Sequence, residues 1–299
     1  MSHQNKTKTL QCYNAIKRKD SGRRPDAAPL VADVDMVIDR SGSMKSMQKQ
    51  TQNGVLNFVQ SQTQTANSTG TETYLTITSF DDVAEKMRGF NAKKLNGAAP
   101  KVDFKCLEPR NTTRLIDTAV ECLLNQNRRV ASLKKKLSRE VRNLDPTILQ
   151  VFCLLTDGHD NESRLFTPKN LNGYLKKLRE NGGVAMFLGA GQDAVQTGAM
   201  YGFGAGHSMT YTANGAHAAN ALRAATDNLA RACSGSLNTQ FTGMQRTASH
   251  TVSAPAAVKP IISNLPMTPN PATVLHRVPG GIFQKPGCGH FGGGGLQRC

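Results

Sequence analysis

Apolar positions along this chain fall into two rhythms. Val31–Ile38, Thr147–Leu155 and Val184–Leu188 are short runs that are apolar almost throughout, the pattern of strands covered on both faces. Glu72–Phe80 sets Tyr74, Leu75, Ile77 and Phe80 among Thr and Ser and predicts another strand. Asp81-Asp82 then reads as a turn, with Val83–Phe90 returning antiparallel as a short edge strand. Helical periodicity fills the gaps. Lys45–Gln62 carries Met47, Val55, Phe58 and Val59. Thr113–Asn125 and Arg128–Asn143 read as two helices, the second with a stripe of Val130, Leu133, Leu137 and Val141 between basic faces. Leu165–Asn181 is stopped by Gly182-Gly183, and helices over Gln192–Tyr201 and Ala213–Cys233 flank a short segment, Ser208–Tyr211. Strands alternating with helices predict an α/β fold, a doubly wound and mostly parallel sheet with helices on both faces.

The two ends break this rhythm. Residues 1–29 are polar and basic, with seven Lys/Arg against two Asp, and read as an N-terminal arm. Residues 234–299 hold seven of the 13 prolines, five Lys/Arg, no acid and a closing run of four glycines. Too few apolar residues recur there to build a core. The expected organisation is therefore a basic arm (1–29), a folded domain (30–233) and an extended Pro/Gly-rich tail (234–299).

Composition narrows the classes. No apolar run approaches the ~20 residues of a membrane helix, so no membrane insertion is expected. Charges at Met1–Lys6 are not followed by an apolar segment, which argues against a secretory signal. Seven cysteines, odd in number and without a CxxC pair, read as reduced thiols. Together these predict an intracellular setting, or a virion. A formal net charge of +16 asks for an acidic partner. Much of it lies in the arms and in residues 128–142, which hold seven Lys/Arg against one Glu.

Candidate chemistry concentrates at strand ends. Asp39-Arg40-Ser41-Gly42-Ser43 follows the first buried strand and offers a carboxylate and two hydroxyls across a tight turn. Three hard oxygen donors suit Mg²⁺ or Mn²⁺ better than covalent chemistry. Thr112-Thr113 opens a helix with two more hydroxyls, and Thr156-Asp157-Gly158 places Asp157 just past another buried strand. In open α/β sheets, ligands bind in the crevice at the carboxyl ends of strands.

In order and placement these pieces resemble the von Willebrand factor A (vWA) domain and its metal-ion-dependent adhesion site. Thr78-Ser79-Phe80-Asp81-Asp82 resembles that family's second strand end, and Phe187–Ala194 resembles the last strand and turn of vWA proteins from bacteria and their viruses. The resemblance covers roughly residues 30–233 and implies a vWA or Rossmann-like fold. It implies that Ser41 and Ser43 bind the metal through their hydroxyls and that Thr113 does so directly or through water. Asp39 and Asp157 would accept hydrogen bonds from waters on the ion, or ligate it in one state. Arg110-Asn111-Thr112 stands where relatives often have glycines, so Thr112 stays open as the alternative to Thr113. The family's use of such a site implies capture of an Asp or Glu of a protein partner, not catalysis.

Other signals are weaker. Gly189-Ala190-Gly191-Gln192-Asp193-Ala194 fits the dinucleotide fingerprint, but it follows a late strand and puts Asp193 where a pyrophosphate would sit. His159 beside Asp157 has no hydrolase elbow with it. Cys288, His290, Cys299 and His276 match no familiar zinc module. The expectation is a non-enzymatic interaction module whose basic tails touch neighbouring subunits of a large assembly. A minor capsid or cementing protein of a virus particle fits both. The alternative is a nucleic-acid-associated factor using the basic helix 128–142 and the arms.

Overall fold

The computed structural model describes residues 31–140, 147–213, 215–236 and 238–249. The N-terminal arm, residues 141–146 at the end of the basic segment, and the tail from residue 250 with its Cys and His lie outside the described residues.

Among the described residues seven strands form one sheet: β1 (Val31–Asp39), β2 (Glu72–Phe80), β3 (Ala84–Lys86), β4 (Lys93–Leu95), β5 (Ile148–Thr156), β6 (Val184–Ala190) and β7 (Ser208–Tyr211). The order is β3-β2-β1-β5-β6-β7, with β4 also paired to β2. The β2–β1–β5–β6–β7 pairings are all parallel, and β3 and β4 are antiparallel to β2. The chain order reverses between β1 and β5, the switch point of a doubly wound sheet.

Helices cover both faces. On one, α1 (Gln48–Thr69) and α5 (Gly215–Cys233) bury Val55, Phe58 and Val59 against Ala221, Leu222 and Ala225. They approach closely because Gly54 has no side chain: a Cβ there would lie 2.1 Å from Leu222 Cδ1. On the other, α2 (Leu115–Glu140), α3 (Pro168–Glu180) and α4 (Ala194–Tyr201) bury Leu115, Val120, Leu171, Leu175 and Tyr201 against Val37, Phe152 and Phe187. Among the described residues no helix is long and apolar enough to cross a membrane.

Four expectations are corrected. The helices expected over Thr113–Asn125 and Arg128–Asn143 are one 26-residue helix, α2. Asn125-Gln126-Asn127 looked like a junction but contains no Gly or Pro. Gln126 is buried, and its Nε2 donates to the carbonyls of Asp33 and Val151 at 3.0 Å each. The helix expected to start at Lys45 starts as a 3-10 turn over Gly42–Met47 and runs on to Thr69. Its polar last turns are held by burial of Gln62, Thr63 and Ala66, and Gly70 ends it at φ 71°. The edge strand expected over Val83–Phe90 shrinks to the three-residue β3, and β4 lies beyond that span; both pair antiparallel with β2. Met87 and Phe90 of that stretch bury their side chains, while the Met87 N–H donates to the Ile77 carbonyl at 2.8 Å and the Phe90 carbonyl accepts the Ile77 N–H at 3.0 Å.

The fourth correction concerns charge. Asp33 and Asp35 lie inside the central strand and are buried. Arg129 of α2, read as part of a basic outer face, turns inward and bridges both, with Nη2 3.0 Å from Asp33 Oδ2 and a second bond to Asp35. Past Cys233, Phe241 is buried and α6 (Gly243–Ser249) packs on α5 and β7, so the packed body reaches beyond residue 233.

Candidate metal centre

Parallel pairing of β1 with β5 brings Asp39 and Asp157 to the same edge of the sheet. Asp39 is the last residue of β1 and is 1 % exposed. Its Oδ1 accepts the Ser41 backbone N–H at 2.7 Å and its Oδ2 accepts the Thr156 hydroxyl at 2.6 Å. The first bond closes the turn after β1, and the second ties that turn to the end of β5. Ser41 is buried, whereas Ser43, the second residue of the 3-10 turn, is exposed. Their hydroxyls are 3.1 Å apart, and the Ser43 hydroxyl donates to Asp157 Oδ1 at 2.8 Å.

The third loop comes from the approach to α2. Thr113 is buried and Thr112 exposed. Thr113 Oγ1 is 3.5 Å from where a Cβ at Gly158 would stand, so its hydroxyl lies beside the turn that carries Asp157. The Thr113 backbone is clamped: its N–H donates to Asn161 Oδ1 at 2.8 Å, and its carbonyl accepts the Asn161 and Glu162 N–H groups. Gly42 N–H donates to the Asn111 carbonyl at 3.2 Å, which joins this loop to the serine turn. Asp39, Ser41, Ser43, Thr113 and Asp157, brought from three separate stretches of sequence, thus lie in one stitched cluster.

Burial pushes the Asp39 carboxyl up to about 6 even though Thr156 and Ser41 bond to it, and the Asp157 charge adds to the rise. Burial raises Asp157 too, against the Ser43 hydrogen bond. Among the described residues neither carboxylate has a Lys or Arg within 4 Å. Two underneutralised carboxylates and a row of hydroxyls form an oxygen-only donor set. Such a set fits a hard divalent cation, and no His or Cys cluster competes with it: among the described residues no three His, Cys, Asp or Glu group as ligands. His159 is exposed beside the cluster.

Two further groups shape the site and were not legible in the sequence. Arg40, inside the serine turn, is 2 % exposed. Its guanidinium reaches Asp81 Oδ1 at 3.2 Å, Glu85 Oε2 at 2.7 Å and the Cys106 carbonyl at 3.1 Å, and Arg110 bonds the same two carboxylates. Arg40 and Arg110 hold Glu85 down at about 2. Asp117, on the first turn of α2, accepts the N–H groups of Arg164, Leu165 and Phe166 at 2.8–3.2 Å. Burial opposes its charge, yet these bonds and Arg114 keep its carboxyl below the ordinary range. The loop after Asp157 is therefore fixed while it leaves Arg164 and Leu165 exposed, beside a cleft of about 330 Å³. A row of main-chain N–H groups donating to one aspartate leaves no sequence pattern of its own.

The fingerprint-like turn after β6 is used locally. Asp193 Oδ1 accepts the Val195 and Gln196 N–H groups at 3.0 Å each and so occupies the N-terminus of α4.

No protein-family model and no curated protein matches the chain. Among solved structures it is similar to proximal thread matrix protein 1 from the mussel byssus, at 17 % identity and a TM-score of 0.42 over 69 % of this chain and 47 % of that one. A von Willebrand factor type A protein from Catenulispora acidiphila aligns at 17 % identity and a TM-score of 0.42, over 68 % of this chain and 43 % of the other. The manganese-loaded TRAP protein of Plasmodium vivax aligns at 17 % identity and a TM-score of 0.30, over 55 % of this chain and 58 % of the other. The mussel protein also has a form with a zinc-occupied MIDAS motif. The chain spans about half the length of the structures it matches.

Proposed function

We propose that this chain is a vWA-type binding module that holds a divalent cation at Asp39, Ser41, Ser43, Thr113 and Asp157 and captures a carboxylate of a protein partner there. The observation that carries this reading is the cluster itself. The Ser43 hydroxyl meets Asp157 and the Ser41 hydroxyl meets Ser43 at the carboxyl ends of β1 and β5, Asp39 is buried behind them, and among the described residues no Lys or Arg pairs with either acid. Ser41, Ser43 and the buried Thr113 supply uncharged oxygens; Asp39 orients the serine turn through the Ser41 N–H; Asp157 faces Ser43. A bound ion would supply a Lewis-acid position for the oxygen of an external Asp or Glu, because the Ser41, Ser43 and Thr113 hydroxyls are uncharged donors that offset none of its charge. A unit charge pair at ~4 Å is worth ~1 kcal/mol in water and ~4 kcal/mol at an effective dielectric of 20, so excluding water at the contact sets the affinity. Mg²⁺ and Mn²⁺ both suit the donor set, and the chemistry is binding: His159 is exposed, with no nucleophile assigned beside it.

The assembly role follows from the ends of the sequence. A basic arm and an acid-free, Pro/Gly-rich tail suit wrapping neighbouring subunits, as in a minor capsid or cementing protein of a virus particle, or another intracellular assembly. A second reading, nucleic-acid association, draws on Arg128, Lys134, Lys135 and Arg139, all exposed on α2.

Capture of partners from native lysate, with and without EDTA and with Ser41→Ala/Ser43→Ala, separates the two. Metal-bridged capture is lost in both conditions. Capture that ignores both and falls steeply with salt overturns the metal reading and favours nucleic acid.

A further inference from the structure

Tyr211, the last residue of β7, is fully buried, and its hydroxyl has no hydrogen-bond partner among the described residues. It stands two strands from the metal cluster. Ala190 of β6 pairs with Tyr211, and Gly189 pairs with Thr156, the residue before Asp157. Tyr211, Ala190, Cys153 and Leu155 share one face of the sheet. Two strand spacings are about 10 Å, the span of a tyrosine side chain plus a water. Burial first, then the charges of Asp157 and Asp39, push this phenol far above its ordinary range, so both carboxylates act on the hydroxyl. The remaining neighbour, Cys153, is a buried neutral thiol pushed up to about 12 and a weak acceptor.

A buried hydroxyl without a partner costs about 1–3 kcal/mol, and folded proteins satisfy such groups with ordered water. The acceptors nearest in chemistry are the two carboxylates of the metal cluster. The same layer of strand ends carries Gln192, whose amide oxygen and nitrogen are also buried without partners, so this end of the sheet has several sites for water.

We infer that Tyr211 is a positioning residue for the metal centre, its hydroxyl donating through one buried water to the Asp157 carboxylate. The inference rests on the metal-binding reading above. Hydrogen-bond partners behind a ligand orient it and are worth about 10–100-fold in metal affinity. Tyr211→Phe removes one oxygen and keeps the ring that fills the core. Manganese titration of the purified full chain, followed by the paramagnetic signal of the free ion, reads the effect directly. The expected result is an affinity about tenfold weaker in Tyr211→Phe, with the metal-free thermal midpoint unchanged or slightly raised. Wild-type binding that Tyr211→Phe leaves unaltered overturns the positioning role while sparing the metal centre. A wild-type chain that takes up no manganese overturns both. A metal-free midpoint lowered by several degrees, with unaltered affinity, assigns Tyr211 to packing alone.

Discussion

Asp39 is the most constrained side chain of the cluster, with both oxygens engaged and its carboxyl pushed up to about 6. A cation needs the ionised form, so proton and metal compete. Divalent-metal affinity is expected to hold above pH 7 and to weaken by up to tenfold per pH unit below about 6; manganese titrations at pH 5, 6 and 7.5 check this. In the metal-free protein the sign reverses. The folded-state value lies above the unfolded one, so Asp39 favours folding below about pH 4 and loses that contribution as pH rises through 6. Asp35, raised to about 7 by burial despite Arg129, behaves alike. Arg129→Met strands Asp33 and Asp35 in the core. About 3–5 kcal/mol of stability is expected to go at pH 7, and less at pH 5, where Asp35 takes up a proton. Urea denaturation at both pH values measures the difference.

At the scale of elements, the long helix α2 links the two ends of the fold. Its first turn holds Asp117 and the loop beside the oxygen cluster, its middle inserts Gln126 against β1 and β5, and Arg129 follows one turn on. Because Asn127 is in the helix interior, Asn127→Pro is expected to cost about 3 kcal/mol or more. A junction between two helices would tolerate it; the denaturation midpoint decides. The helix periodicity was readable in Leu115–Leu123 and again in Val130–Leu137. Its continuity was not, because a polar residue at 126 carries no mark of the buried carbonyls it will meet. β3 reads too long and β4 is not anticipated in the sequence, for a related reason. Three-residue edge strands such as Lys93-Lys94-Leu95 have no alternation to read, and pairing with β2 creates them.

For the whole molecule, a ligand that binds only the folded state stabilises it. Metal at a hundred times its dissociation constant adds about 2.7 kcal/mol, or roughly 5–10 °C in thermal midpoint for a domain of this size. Calorimetry with Mg²⁺ or Mn²⁺, then EDTA, is expected to show that shift and its reversal, and Ser43→Ala to abolish it. No shift in wild type would leave the fold as a scaffold without a metal.

The local sequence determined the alternation of buried strands and amphipathic helices, and with it the doubly wound sheet. It also determined which oxygen-bearing residues end up at strand termini, because a strand's end and a helix's start are set by neighbours in the chain. Tertiary structure decided everything that needs a partner far along the chain. It gave Thr156 to Asp39, Arg40 to Asp81 and Glu85, Arg129 to the core acids, and the Asp117 carboxylate to a loop nearly 50 residues away. These are buried charges and hydrogen bonds. Their energy depends on what surrounds them after folding, and periodicity along the chain does not encode it.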